Sequence, residues 1–305
     1  MSFNQEQLEK ISTGKGFIAA LDQSGGSTPK ALKQYGVDEN EYEGEDAMYD
    51  KVHEMRTRII TAPAFNGENI LGAILFEKTM DNTINGTPTA EYLWNELKVV
   101  PFLKVDKGLA DEQDGVQLMK PMPELNALLE RAVSKKIFGT KMRSTINSAS
   151  ESGIAAVVKQ QFEVGKQILS HGLIPIIEPE VNIKANDKTK CESILRTEIL
   201  KHLDTLADDQ KVMLKLTLPE DANFYADLIA HKNVLRVVAL SGGYSLDESC
   251  NRLSKNDGMI ASFSRALSNG LTATQSDDEF GATLAKAIER IYTASINSAQ
   301  NTQAA

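Results

Sequence analysis

The stretch VMLKLTL, Val212–Leu218, has the apolar composition of a buried strand, yet a lysine stands at its centre. Alternate side chains of a strand point to opposite faces. Val212, Leu214, Leu216 and Leu218 therefore share one apolar face, and Met213, Lys215 and Thr217 share the other. The question is which kind of sheet has room for a lysine on its second face.

Working outward, seven further apolar runs flank this one: GFIAALD (from Gly16), ILGAILFE (Ile70), VPFLKVD (Val100), IFGTKMR (Ile137), LIPIIEPE (Leu173), VLRVVALSGG (Val234) and MIASFSRAL (Met259). Helix-like segments separate them. Ile154, Val157, Val158, Phe162, Gly165, Ile168 and Leu169 recur at helical spacing before a stop at Gly172, and Phe280, Leu284, Ala287, Ile288 and Ile291 do the same near the C-terminus. Strand and helix alternating through eight units predict an α/β fold, a single (β/α)8 TIM barrel spanning residues 1–305 as one domain. The rival, an open doubly wound sheet, lacks its glycine fingerprint: DQSGGS, Asp22–Ser27, follows the first run instead of GxGxxG. The acidic stretch DENEYEGED, Asp38–Asp46, reads as a solvated loop between two early helices.

Composition narrows the function. The chain has 305 residues, 41% hydrophobic and 25% charged, which suits a large core, and its net charge of −9 weighs against nucleic-acid or anionic-membrane partners. The N-terminal MSFNQEQLEKISTGKG has no apolar core of a signal peptide, and no run approaches the roughly 18 apolar residues of a membrane span, so a cytoplasmic protein is expected. Cys191 and Cys250 lack metal-type spacing and are expected to be reduced thiols.

In a barrel one strand parity faces the helices and the other the interior, so Lys215 points inward. The same parity carries Asp22, Lys104, Asp106, Lys141, Arg143, Glu178 and Glu180, all near the C-terminal ends of their runs. Those ends converge on one mouth, where this fold builds its active sites. Any one of these residues alone reads as a strand-end salt bridge or a snorkelling side chain. Together they put four cations and four carboxylates on an inner face where a merely structural barrel stacks apolar layers.

A lysine attacks a ketone only as the neutral amine, which burial and nearby cations such as Lys141 and Arg143 favour. Attack gives a carbinolamine and then a protonated imine, with Glu178 and Glu180 of EPE as an acid/base pair held by the intervening Pro179. LSGGYS offers Ser241, Gly242 and Gly243 ahead of a helix, and SFSRAL offers Arg265, together a phosphate seat where barrels commonly have one. DQSGGSTPK, with Ser24, Ser27 and Lys30, offers a second, and two seats across one mouth suit a bisphosphate.

The motifs ALDQSGGS, FLKVDKG, KMR, PIIEPE, MLKLT, LSGGYS and SFSRAL, in this order over nearly the whole chain, resemble class I fructose-1,6-bisphosphate aldolases, the short bacterial form in particular. The resemblance implies a metal-independent, cofactor-free lyase that reversibly cleaves fructose 1,6-bisphosphate to dihydroxyacetone phosphate and glyceraldehyde 3-phosphate. Its partners would be the sugar bisphosphate and the triose phosphates, with no nucleic acid and no membrane, and an oligomer is compatible. Lys215 matches the Schiff-base lysine, Glu178 the acid/base residue of imine formation and dehydration, and Glu180 its supporting partner. Asp22 and Lys141 match the residues that orient the C3–C4 region, and Lys104 and Arg143 match charged binding residues. Ser241, Gly242 and Arg265 match the seat of the ketose C1 phosphate, and Ser27 and Lys30 the region of the other phosphate. The sequence departs from the animal enzymes at Ala31, Met142 and Ser264, and it ends NSAQNTQAA where those enzymes end in a tyrosine. A zinc-dependent aldolase would need histidines at the barrel mouth, whereas His53, His171, His202 and His231 all fall in helical or post-helical segments. A tagatose or other ketose bisphosphate as substrate, and a non-catalytic sugar-phosphate-binding barrel, are the remaining alternatives.

Overall fold

The computed structural model describes residues 4–24 and 28–300, apart from the side chains of residues 265, 266 and 298–300. Each of the eight apolar runs forms a strand: β1 (Phe17–Leu21), β2 (Ile70–Leu75), β3 (Val100–Lys104), β4 (Gly139–Ile146), β5 (Ile174–Val181), β6 (Val212–Thr217), β7 (Val234–Leu240) and β8 (Met259–Ala261). Their order in the sheet is their order in the chain, and every adjacent pair is parallel. β1 and β8, the two ends of that path, lie against each other, so the sheet wraps into a nearly closed barrel with helices around it.

The two strand parities sort as alternation demands. Val212, Leu214, Leu216 and Leu218 pack outward with the helix residues Leu195 and Ile199, while Met213 joins Ile18, Ala20, Ile74, Phe102, Ile176, Val238 and Ile260 inside the barrel. The helix Glu151–Ser170 buries Ile154, Val157, Val158, Phe162, Gly165, Ile168 and Leu169. Its N-cap Ser150 accepts a hydrogen bond from the Gly153 amide, and Gly172, at φ +76°, turns the chain out of it.

One end of the barrel is shut. The helix Gln5–Thr13 lies across it, sending Ile11 into the interior cluster. Arg236, on β7, donates to the carbonyls of Ile11 and Gly14, each at 3.0 Å. Burial lowers this guanidinium to about 10. Above this plug the interior narrows around Phe102. A Cβ at Gly72 or Gly139 would stand 2.9 and 2.8 Å from the Phe102 ring, so the two glycines are what admit it.

Two connections depart from a plain βα rhythm. After β2 the chain forms two short helices, Glu77–Asp81 and Thr89–Asn95, separated by a hairpin of Thr83–Ile84 with Thr87–Pro88. Asn85 and Gly86 at its tip have φ of 51° and 79°, the left-handed pair that closes a two-residue hairpin. After β3, Val116–Gln117 pairs antiparallel with the end of β4. The acidic stretch Asp38–Asp46 is almost wholly exposed and carries one short 3-10 turn, Glu39–Glu41.

Phe102 is fully buried with Phe138 edge-on at 5.6 Å. Phe102→Ala is expected to destabilise the barrel by about 3–5 kcal/mol, read as a lower urea midpoint with an unchanged denaturant slope.

Candidate active site

At the open end the interior changes character. One layer above Ile176 and Met213, Glu178 and Lys215 replace aliphatic side chains, and Asp22, directly after β1, and Lys141, on β4, join them; none of the four is more than 7% exposed. The Lys215 ammonium lies 3.1 Å from Glu178 Oε1, and the Lys141 ammonium 3.1 Å from Glu178 Oε2. Asp22 Oδ2 stands 2.6 Å from Lys141 Nζ. One carboxylate is thus held between two ammonium groups, and a second carboxylate closes the chain.

Toward the rim, Lys104 Nζ contacts Asp106 Oδ1 at 2.8 Å and donates to the Asp106 carbonyl at 2.6 Å. The Asp106 carboxylate also accepts from the amides of Gly108 and Arg143. Arg143 reaches Glu180 at 2.9 Å. The two glutamates of EPE therefore face the same way, as their parity requires, with different partners: Glu178 sits in the buried lysine layer and Glu180 on the more open arginine.

Burial opposes ionisation of Asp22, but the ammonium groups of Lys141 and Lys215 outweigh it and hold its carboxyl far below the usual carboxylate range. Burial likewise opposes the charge on Lys141, and Asp22 and Glu178 overcome it, raising that amine well above an ordinary lysine. Arg143 is raised against burial by Glu180 and Glu178.

Two buried residues behind this layer escape a reading by parity alone. Gln161 lies on the apolar face of the helix Glu151–Ser170 and is fully buried. Its amide takes both backbone groups of Glu178, each at 3.0 Å, and donates to Ser144. This fixes the peptide at Glu178 beyond the point where β5 pairs with β6, which is limited to Ile176 and Ile177. A glutamine in register with Ile154, Val157, Val158 and Gly165 is the signal that points to it. Arg56, in the helix Gly44–Thr61, is 1% exposed and donates to the carbonyl of Gln23 and to Thr79 Oγ1. Burial lowers its guanidinium to about 10. A helix arginine ordinarily reads as surface, so the sequence carries no comparable signal for it.

The proposed phosphate residues are placed as follows. Ser241 is buried at the end of β7, and Gly242 and Gly243 turn the chain at φ +59° and +116°. A Cβ at Gly242 would lie 2.7 Å from Ile183, so this bend needs glycine. Ser24 follows Asp22 and Gln23, whereas Lys30 is exposed in the first turn of the helix Thr28–Tyr35. Ser27 lies outside the described residues, as does the Arg265 side chain, although the Arg265 backbone opens the short helix Arg265–Ser268. His53 and His202 lie within helices, and His171 and His231 stand at helix C-termini. Cys191 and Cys250 are free thiols, pushed up by burial to about 12 and about 11.

The family model for class I fructose-bisphosphate aldolase matches residues 5–224. The chain belongs to the class I fructose-bisphosphate aldolase family. A Synechocystis sp. fructose-bisphosphate aldolase class 1 is 60% identical over 293 residues, 96% of this chain and 98% of that protein. Among solved structures, a Plasmodium falciparum fructose-bisphosphate aldolase, crystallised with TRAP and a small-molecule inhibitor, superimposes with a TM-score of 0.74 at 19% identity, covering 97% of this chain and 95% of that one. A Corynebacterium glutamicum protein gives a TM-score of 0.54 at 13% identity, with coverage of 95% and 92%. These last two likenesses speak to the barrel. The aldolase family match takes in Asp22, Lys104, Lys141, Arg143, Glu178, Glu180 and Lys215, and the SGG loop lies beyond it.

The low-lying Asp22 carboxyl gives a pH signature. Its folded pKa lies below the unfolded reference of about 3.9, so its charge stabilises the fold above that value, and the contribution disappears as pH falls through the folded pKa. Asp22→Asn is expected to lower the unfolding free energy at about pH 7, with the gap to wild type narrowing below about pH 4, as read by urea unfolding across the range.

Proposed function

We propose that this chain is a lyase that reversibly cleaves fructose 1,6-bisphosphate to dihydroxyacetone phosphate and glyceraldehyde 3-phosphate through an imine on Lys215, without a metal or cofactor. The observation that carries the reading is the Glu178 carboxylate bridging Lys215 and Lys141 in a buried layer of a class I aldolase barrel. Such a layer is an expensive way to hold a barrel together and an apt way to move protons next to a nucleophilic amine.

In this reading Glu178, 3.1 Å away, accepts the proton that frees the Lys215 amine. The nitrogen attacks C2 of the ketose, the carbonyl oxygen takes a proton, and a carbinolamine forms. Glu178 then protonates the departing hydroxyl, water leaves, and a protonated imine remains. Its positive nitrogen withdraws the C3–C4 bonding pair as the C4 hydroxyl gives up its proton. Asp22 and Lys141 orient that end of the sugar, the carboxylate on the hydroxyl side and the ammonium beside the developing charge. Glyceraldehyde 3-phosphate leaves with C4 as its aldehyde carbon. Protonation of the enamine at C3 and hydrolysis of the imine release dihydroxyacetone phosphate and restore the lysine. Glu180 supports the acid/base exchange, and Lys104 and Arg143 bind the substrate. Ser241, Gly242, Gly243 and Arg265 seat the C1 phosphate, and Ser24, Ser27 and Lys30 the other. The whole chain acts as one catalytic unit in the cytoplasm; among the described residues no helix is long and apolar enough to cross a membrane.

Borohydride added to the protein with fructose 1,6-bisphosphate and EDTA is expected to leave a reduced adduct on the Lys215 peptide, with triose phosphate release unaffected by the chelator. Absence of that adduct during active turnover overturns the imine. Lys215→Ala should lose the adduct and all measurable cleavage while keeping its far-ultraviolet circular dichroism. Glu178→Gln should slow turnover by about 10²–10⁴-fold, as expected for removal of a general acid–base group.

A further inference from the structure

The hydrogen-bonded path of the barrel is open on one side. Among the described residues no backbone ladder joins β1 to β8, and β8 has only three residues, Met259–Ala261. Just above this gap one side-chain bond crosses it: Gln23 Nε2 donates to Ser264 Oγ at 2.6 Å. Gln23 directly follows Asp22 and leads into the DQSGGS loop, and Ser264 directly precedes Arg265. The two ends of this bond therefore adjoin Ser24 and Arg265, residues assigned to opposite phosphates.

Gln23 is itself held from behind. Its carbonyl accepts a hydrogen bond from Arg56 Nη2, while Arg56 Nη1 donates to Thr79 Oγ1 at 2.7 Å. The guanidinium lies 5.9 Å from the centre of the Phe76 ring, and the carboxylate that acts on it, Asp22, does so without a direct contact. Its Nε has no hydrogen-bond partner among the described residues. Burial opposes the charge on this guanidinium, the Asp22 carboxylate partly offsets it from beyond ion-pair distance, and one of its two side-chain hydrogen bonds goes to the peptide that carries Gln23.

We propose that Arg56, Gln23 and Ser264 form a latch across the barrel seam. It positions the backbone at Asp22–Ser24 relative to the start of the short helix Arg265–Ser268 and so sets the spacing between the two phosphate seats. The latch stands in for the missing β1–β8 ladder at the height where substrate binds. Gln23 and Ser264 are positioning residues, acting through the backbone they hold. The proposal rests on the aldolase reading for the identity of the ligand, and its test is read by binding, so that the two can fail separately.

The measurement is isothermal titration calorimetry of fructose 1,6-bisphosphate with wild type, Gln23→Ala, Ser264→Gly, the double variant and Ser264→Thr, with steady-state kinetics and thermal unfolding alongside. Each single variant is expected to bind about five- to tenfold more weakly, the effect of one lost hydrogen bond, with KM rising more than kcat falls. The double variant should bind no more weakly than either single one, because both remove the same bond. Ser264→Thr, which keeps the hydroxyl, should restore wild-type affinity. Affinity within twofold of wild type in both single variants, or losses that multiply in the double variant, would overturn the latch. A lowered melting temperature with unchanged affinity would do the same, since it reports a merely structural bond. Wild-type cleavage and the borohydride adduct report on the aldolase reading independently of all these outcomes.

Discussion

A carboxylate shared between two ammonium groups inside a barrel is the interaction on which the rest of this structure depends. Ions taken out of water cost several kcal/mol each unless they are paired and hydrogen-bonded. Glu178 pairs with Lys215 and Lys141, Lys141 with Asp22, and the Glu178 backbone with Gln161. Each charged partner must arrive on its own strand at the same height. The barrel therefore has to set four strands in register before the layer can form at all.

The apolar half of the barrel meets that demand. Arg236 and the helix Gln5–Thr13 close one end, and Phe102, seated between Gly72 and Gly139, fills the space above. The charged layer then rests on aliphatic side chains from Ile176 and Met213 and is open to ligand on one side only. Polarity along the barrel axis thus follows from a simple division: one end is closed by packing, the other by a layer of ion pairs.

Pairing within the layer does not follow the strand ladder. In the backbone register Glu178 stands opposite Arg143 and Thr145 opposite Glu180, yet Arg143 contacts Glu180 and Glu178 contacts the two lysines. Barrel strands are tilted and staggered, so side chains at one height come from positions offset along neighbouring strands. The same stagger separates the two glutamates of EPE, two residues apart on one parity, into a buried lysine environment and a half-open arginine environment. Two identical side chains acquire different partners from their height in the barrel.

Much of this was legible before any coordinates. The eight strands, the helix Glu151–Ser170 and the inward direction of Lys215 follow from periods of two and of 3.6 in the apolar residues, because a side chain's face is a local property of the backbone. The hairpin at Asn85–Gly86 went unread, although its turn is encoded by two adjacent residues. Gln161 carried a local signal in its register with the apolar face of its helix, whereas Arg56 is a helix arginine that only burial distinguishes from a surface residue. Nor could local patterning reach the choice of partner among four cations and four carboxylates, or the bond between Gln23 and Ser264 across the seam. By itself, the sequence determined which residues face the barrel interior; the tertiary structure decided which of them meet, because meeting depends on strand stagger and closure, and these join positions up to 241 residues apart.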